Sequence, residues 1–539
     1  MPSPALPKDA PLLLTGATVY TSSSEAPKAA AILAVDGKIA FVGDEAEARK
    51  KAPDANVVDL KGAVVYPGFV DAHAHLKGLG LSRETLDLRG KSKEEILKLV
   101  REAAGKSAPG AWIRGRSWDQ NLWPSKKFPT SAELTEAAPR NPVVLTRVDG
   151  HALWVNDAVL RRARITPRTA DPDGGKIERD ASGRPTGVFV DAAMDLVVKV
   201  IPEPSAAELR RLFAAGGKAC AAAGLTGMGD ASGYDRKEID VLRAMAREGA
   251  LPIRVYATVG AGSKDLPAFL AGGPIQEGRV TVRAVKILAD GALGSRGAAL
   301  LADYSDDPGN RGLLVTPAAK MDEVTLAGVK AGWQLWTHAI GDRGNRLALD
   351  AYEKALEAVK PKDARLRIEH AQVLAPEEFP RFAKLGVIAS VQPTHATSDM
   401  PWAEARVGPV RIRGAYAWRS LVSSGARLAG GSDFPVEQEV PLLGLYAAIT
   451  RQDLSGRPPD GWYPDQRLTR PEALKLFTED AAYAEFAEGR RGKIAPGFDA
   501  DLTVLDRDVV AGTLPASEIP KAKVLLTVVG GEVVFRAAR

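Results

Sequence analysis

Between residues 11 and 66 apolar and polar positions alternate in short runs, "LLLTGATVYT", "AAAILAVDGKIAFVG" and "NVVDLKGAVVYPG", with turn residues between them and a hairpin signal at Asp36-Gly37. The C-terminal end repeats the pattern, where "GFDADLTVLD" and "KVLLTVVGGEVVFR" alternate and turn at Gly530-Gly531. Neither end makes a domain alone, so the pattern predicts one small β-sandwich built from both, 1–66 with 491–539. From 67 to 490 strand-like runs alternate with helix-like ones such as "SAAELRRLFAAGGKACAAAG" and "NRLALDAYEKALEAV". That is the signature of a parallel sheet covered by helices. Strands are predicted at 63–71, 224–229, 253–259, 282–288, 333–338, 366–370, 386–391 and 427–432, and eight of them close a (β/α)8 barrel of the TIM-like α/β class. The interval from about 78 to 205 has mixed segments of its own and is too long for a loop. It reads as an inserted α/β subdomain that leaves the barrel after the first strand.

Length agrees with a barrel plus appendages, since 539 residues exceed one ordinary compact core. No run approaches the ~20 apolar residues of a membrane span, so no membrane partner is expected. The net charge of +5 is the small difference between 72 basic and 67 acidic side chains. Clusters such as Arg161-Arg162-Ala163-Arg164 read as solvated faces, and no nucleic-acid partner is expected. The single cysteine, Cys220, sits among Ala and Gly and reads as a buried structural thiol. The start "MPSPALPKDAPLLL" has no basic segment followed by an apolar one, so no secretory leader is read and the cytoplasm is the expected location. A periplasmic or secreted protein whose leader had been removed is the alternative.

Chemistry begins at "FVDAHAH", residues 69–75. In a strand, residues i and i+2 share a face, so His73 and His75 point together with Cα atoms roughly 6.6 Å apart and can converge on one ion. A pair of hydrogen-bonded core histidines is the competing reading. Other strand ends carry Lys286, His338, His370 and Asp433, and in a barrel all such ends face one rim. Imidazole and carboxylate suit a divalent ion such as zinc. Lys286 is the misfit, because an ammonium 4 Å from a divalent ion is repelled by roughly 8 kcal/mol at an effective dielectric of 20. It must be remote, neutral, or converted by carbon dioxide into a carbamate, which burial favours by making the neutral amine available. Taken singly, Lys286 could instead pair with Asp290, and Asp433 could cap a helix.

In their order along the chain, His73-x-His75, Lys286, His338, His370 and Asp433 resemble the binuclear metal site of the amidohydrolase superfamily. The words "GHALWVN", "ADGALGSRGA", "THAIGDRG", "EHAQ", "GSDFPVE" and "GFDADLTVLD" are similar to its amidohydrolase-3 branch, which includes N-substituted formamide deformylase and other metal-dependent hydrolases. The resemblance implies that His73, His75 and Asp433 hold the more buried ion. It implies that carboxylated Lys286 bridges to a second ion held by His338 and His370, with zinc the expected metal and one or two ions bound. It further implies hydrolysis of a carbon–nitrogen bond other than a peptide bond by a metal-bound hydroxide, with Asp433 as general base. A small-molecule N-acyl or N-formyl amine is the expected substrate. Ester, lactone or phosphoester hydrolysis on the same site, and a catalytically silent scaffold, stay open as alternatives, as does assembly into a homodimer. The two remaining histidines, His395 after the seventh strand and His151 in the insertion, are candidates to hydrogen-bond substrate over the metal mouth. Asp342 and Arg343 either cap a helix or bind substrate, and Trp112, Trp118 and Trp123 read as the insertion's core or a pocket wall.

Overall fold

The computed structural model describes residues 10–538. Residues 1–9, most of the Pro-rich start from which no leader is read, and residue 539 lie outside that range. The chain is mixed α/β around a nearly closed barrel of eight parallel strands: β1 (Phe69–Ala74), β2 (Leu225–Tyr234), β3 (Arg254–Gly260), β4 (Val280–Leu288), β5 (Gln334–Ala339), β6 (Arg367–His370), β7 (Ile388–Val391) and β8 (Arg427–Gly430). Each strand pairs in parallel with the next in sequence. β1, β5, β6 and β7 are buried along their whole length, as strands covered on both faces must be.

The first strand departs from the reading of its sequence. The apolar run 63–71 is two strands: Val64–Pro67 pairs antiparallel with Leu502–Leu505 in the sheet of the termini, and the barrel begins only at Phe69. Continuous hydrophobicity hides the change of sheet, which falls at Pro67-Gly68.

Beyond the strands, backbone bonds tie β1 to the segment after β8. Asp433 N donates to His73 O (2.8 Å) and His75 N to Phe434 O (2.8 Å). Asp71 reinforces the seam by accepting from Ser432 Oγ (2.6 Å) and from the backbone of Ser432 and His73. The first and last strand ends, which carry two histidines and an aspartate, are thereby held together by main chain.

Helix α1 (Leu76–Ser82) starts directly after His75 and crosses α2 (Ala206–Ala222). A capping box of Ser205 and Glu208 starts α2, and Leu209, Leu212, Phe213, Gly216 and Cys220 recur at helical spacing on its buried face. Contact is at backbone distance, because a Cβ at Gly80 would stand 2.1 Å from Leu212 O. Gly80→Ala is therefore expected to destabilise the protein by about 1–3 kcal/mol through overpacking, read as a fall in Tm.

A second sheet draws on both ends of the chain. Its order is Glu532–Arg536, Val524–Val529, Leu502–Leu505, Val64–Pro67, Leu12–Val19, Lys28–Val35 and Lys38–Gly43, with Asn56–Asp59 also on Leu12–Val19. A third sheet lies within 86–191, in the order Gly175–Arg179, Pro185–Asp191, Ala152–Val155, Val143–Arg147, Ile113–Trp118 and Leu86–Asp87. Trp118, Trp123 and Trp154 pack together in its core with ring centroids 6.1–6.3 Å apart, each indole N–H donating to a backbone carbonyl. Trp112 stands apart from them under the guanidinium of Arg162.

Candidate metal centre

All six histidines of the chain gather at the rim of the barrel. The rings of His73 and His370 are 4.8 Å apart, those of His370 and His338 4.6 Å, and those of His338 and His151 5.0 Å. His395 stacks on His370 at 5.9 Å. Asp433 is at the centre of the group: its Oδ1 lies 3.0 Å from His75 Nε2 and 3.6 Å from His73 Nε2, and its Oδ2 lies 3.8 Å from His395 Nε2.

These close approaches are not hydrogen bonds. Nε2 of His73, His338 and His395 and Oδ1 of Asp433 are sealed from solvent with no hydrogen-bond partner. Four orphaned buried donor and acceptor atoms in one place would be costly in an ordinary core. They fit a site for divalent ions, because the ligand atoms of His73, His75 and Asp433 lie within 4.8 Å of one another, as do those of His370, His395 and Asp433. His395 thus belongs to the cluster itself.

Burial pushes the pKa values of His73, His338 and His370 well below the usual imidazole value, and the nearby Lys286 charge acts in the same direction on each. Neutral imidazoles are what a metal ion requires. Burial opposes the Asp433 charge, but the close approach of His75 leads the effects that outweigh it, and the carboxylate is held far below its ordinary range.

The opposite ring nitrogens are fixed by partners the sequence reading missed. His73 Nδ1 meets Glu369 Oε2, and Glu369 in turn accepts from Arg367 Nε (2.8 Å) and Nη2 (3.0 Å), all fully buried. His370 Nδ1 faces Gln392 Oε1 at 2.7 Å, and His75 Nδ1 faces Ser232 Oγ at 3.1 Å. The Glu369 and Gln392 oxygens can only accept, and so select for His73 and His370 the tautomer that leaves Nε2 free. Strand alternation conceals Glu369, since Glu369 faces inward and a regular strand would turn His370 away. His370 has φ +74, and that break in the strand restores its aim.

Lys286 is buried on β4, and its side chain forms no hydrogen bond or ion pair among the described residues. Burial draws its pKa down to about 8. The pairing with Asp290 does not form: that carboxylate accepts instead from the backbone N–H groups of Ala299, Ile340 and Gly341 at 2.8–3.0 Å. Nor does Asp433 cap a helix, because the next one begins at Pro441. Asp342 opens the helix Asp342–Val359 and accepts from Leu301 N and Arg343 N, a structural role. Cys220 is fully buried and its thiol pKa is pushed up by burial, as expected of an inert thiol.

His151 reaches the cluster from the insertion. Its Nδ1 lies 2.6 Å from Asp191 Oδ1, and Asp191 N donates to His151 O. The Asp191 carboxylate is laid over the loop after β4, where a Cβ at Gly291 or Gly297 would stand 2.2 Å from Oδ2. A cavity of about 230 Å³ opens above, lined by His151, His338, His370, His395 and Asp433 with apolar walls that include Leu293 and Trp402.

Residues 56–535 match the model of the amidohydrolase family. The chain belongs to the amidohydrolase family. This amidohydrolase is 35% identical over 530 residues to the Bacillus subtilis protein YtcJ, covering 96% of this chain and 98% of the relative. It is 30% identical over 539 residues to the N-substituted formamide deformylase of Arthrobacter pascens, covering 96% and 97%. Among solved structures it is similar to an uncharacterized metal-dependent hydrolase from Pyrococcus horikoshii, with a TM-score of 0.76, 30% identity, and 93% and 98% of the two chains covered.

Proposed function

We propose that this amidohydrolase cleaves a carbon–nitrogen bond other than a peptide bond, in a small N-acyl or N-formyl amine. The observation that carries the reading is the convergence of unpartnered, neutral imidazoles on an ionised carboxylate beneath a cavity with apolar walls. The printed name of the Arthrobacter relative supports formamides as the first compounds to try. His73, His75 and Asp433 would hold one divalent ion, and Lys286 with His338 and His370 a second; the donor set suits zinc. Bound there, such ions supply Lewis acidity, which acidifies water and polarises a carbonyl.

The side chains do the rest. Asp433 takes the proton that the attacking water releases and returns it to the departing nitrogen. His395 and His151 hydrogen-bond the carbonyl oxygen as its charge develops. Lys286, enriched in neutral amine by burial, adds carbon dioxide with loss of a proton, and the resulting carbamate replaces a repelled cation with an anionic ligand.

The test combines metal analysis with a hydrolysis screen of N-acyl and N-formyl amines. Chelation is expected to abolish activity and added zinc to restore it; full activity in a verified metal-free preparation would overturn the mechanism. Lys286→Ala is expected to lose both turnover and bound metal and to regain part of each with short carboxylic acids. Full turnover without those acids would remove the carbamate.

A further inference from the structure

Arg116, on the insertion strand Ile113–Trp118, makes no side-chain hydrogen bond and no ion pair among the described residues, and its Nε is sealed from solvent. The side chain is half-buried, and of its three nitrogens only Nε is both sealed and unpartnered, so the guanidinium charge keeps access to solvent and is open to a ligand. The strand is shaped to place it. Its pairing with Val143–Arg147 slips between Arg116 and Trp118, and Ser117, at the slip, has φ +79. A bulge of this kind re-aims the neighbouring side chain and is common beside active sites. The head group rests on Gly150, next to His151, where an added Cβ would stand 3.5 Å from Nη2.

In front of Arg116 lies a cavity of about 340 Å³. Arg89, Ser117 and Glu437 line both this space and the cavity over the histidines, so the two adjoin. The other charged side chains around it have hydrogen-bond or ion-pair partners. Arg83 pairs with Glu439, Arg89 donates to the carbonyls of Pro435 (2.9 Å) and Val436 (2.7 Å), and Glu437 accepts from Ser398 Oγ (2.7 Å). Asp87 accepts from Arg89 N (3.1 Å). Arg116 is the cation left over, and Asp433 is close enough for its charge to act on it.

We propose that Arg116 anchors a carboxylate of the substrate, so that this amidohydrolase takes N-acyl or N-formyl amines that bear an acid group, with N-formyl and N-acyl amino acids as the simplest members. A guanidinium fork matches a carboxylate and supplies charge-assisted bonds that a neutral amine derivative cannot use. The inference rests on the amide-hydrolase reading and narrows it.

Binding is tested without hydrolysis, by titrating 3-phenylpropionate and 3-phenylpropanol calorimetrically into the purified protein. The acid is expected to bind at least about tenfold more tightly than the alcohol. Arg116→Gln is expected to weaken the acid about 10- to 100-fold, with Arg116→Lys between. Equal binding of acid and alcohol, or an acid affinity indifferent to Arg116→Gln, would overturn the anchor. Removing an unpaired, half-buried charge is expected to leave Tm unchanged, and a fall in Tm would mark Arg116 as a structural residue instead. In turnover, the ratio of kcat/KM for N-formylphenylalanine over N-formylphenethylamine is expected to exceed one and to collapse through KM in Arg116→Gln; a ratio below one in the unmodified protein would count against the anchor. If Arg116-dependent binding of the acid holds while neither formamide is cleaved, the anchor stands and the amide reading fails.

Discussion

Asp433→Asn is expected to lower kcat by about 10²–10⁴ or more while leaving the fold intact. The substitution keeps the size of the side chain and its tolerance of the left-handed conformation, which matters because Asp433 has φ +59. Its backbone bond to His73, which ties the ends of the barrel, is untouched. What disappears is the negative charge, 3.0 Å from His75 Nε2 and 3.6 Å from His73 Nε2. That charge is asked to do two things, to help hold a divalent ion and to carry a proton from water to nitrogen. Metal analysis of the variant separates them. A protein that keeps its metal but not its turnover isolates the proton step, and one that loses both shows that charge balance at the ion dominates. Turnover within tenfold of the unmodified protein, at equal metal content, would remove Asp433 from the chemistry.

The strand order and the rim residues were legible because both follow from period. A parallel barrel buries its strands on both faces, so each reads as a short apolar run between helical stretches, and each candidate site residue stands at or near the end of such a run. His338 and His370 could be placed by that rule alone. The rule fails where the backbone leaves its period. Pro67-Gly68 interrupts an apolar run without changing its hydrophobicity, so one predicted strand became two in different sheets. His370 has φ +74, which lets it and its neighbour Glu369 both serve the site although alternation would part them. At Ser117 a bulge resets the parity of a strand, and the aim of Arg116 could not be read from spacing. Asp191 reaches His151 across a sheet pairing formed inside the insertion, between Ala152–Val155 and Pro185–Asp191, and no local pattern announces it. The residue types that gather at the rim were thus written in the sequence, whereas the groups that orient them depend on irregular backbone and on contacts between distant segments.

Glu369→Gln carries the second large expectation, a loss of about 3–5 kcal/mol in stability together with zinc affinity lowered about 10- to 100-fold. Among the described residues Glu369 is the only carboxylate paired with Arg367, whose Nη2 also donates to Ala72 O (2.7 Å) and Ser390 Oγ (2.8 Å) and whose guanidinium lies 3.5 Å over the Trp336 ring. Neutralising one partner leaves the other charge buried in the barrel, and this sets the stability term. The affinity term has a different origin, the contact of Glu369 with His73 Nδ1, which holds the imidazole with Nε2 aimed at the site. A double variant, Arg367→Met with Glu369→Gln, distinguishes the two, because it removes the stranded cation but not the loss of the carboxylate from His73. Stability by denaturation is expected to recover most of the deficit, and zinc affinity by competition with a chelator is expected to stay low. A double variant that regains its stability and also binds zinc as tightly as the unmodified protein would mean that Glu369 serves only to neutralise Arg367, and that packing alone orients His73.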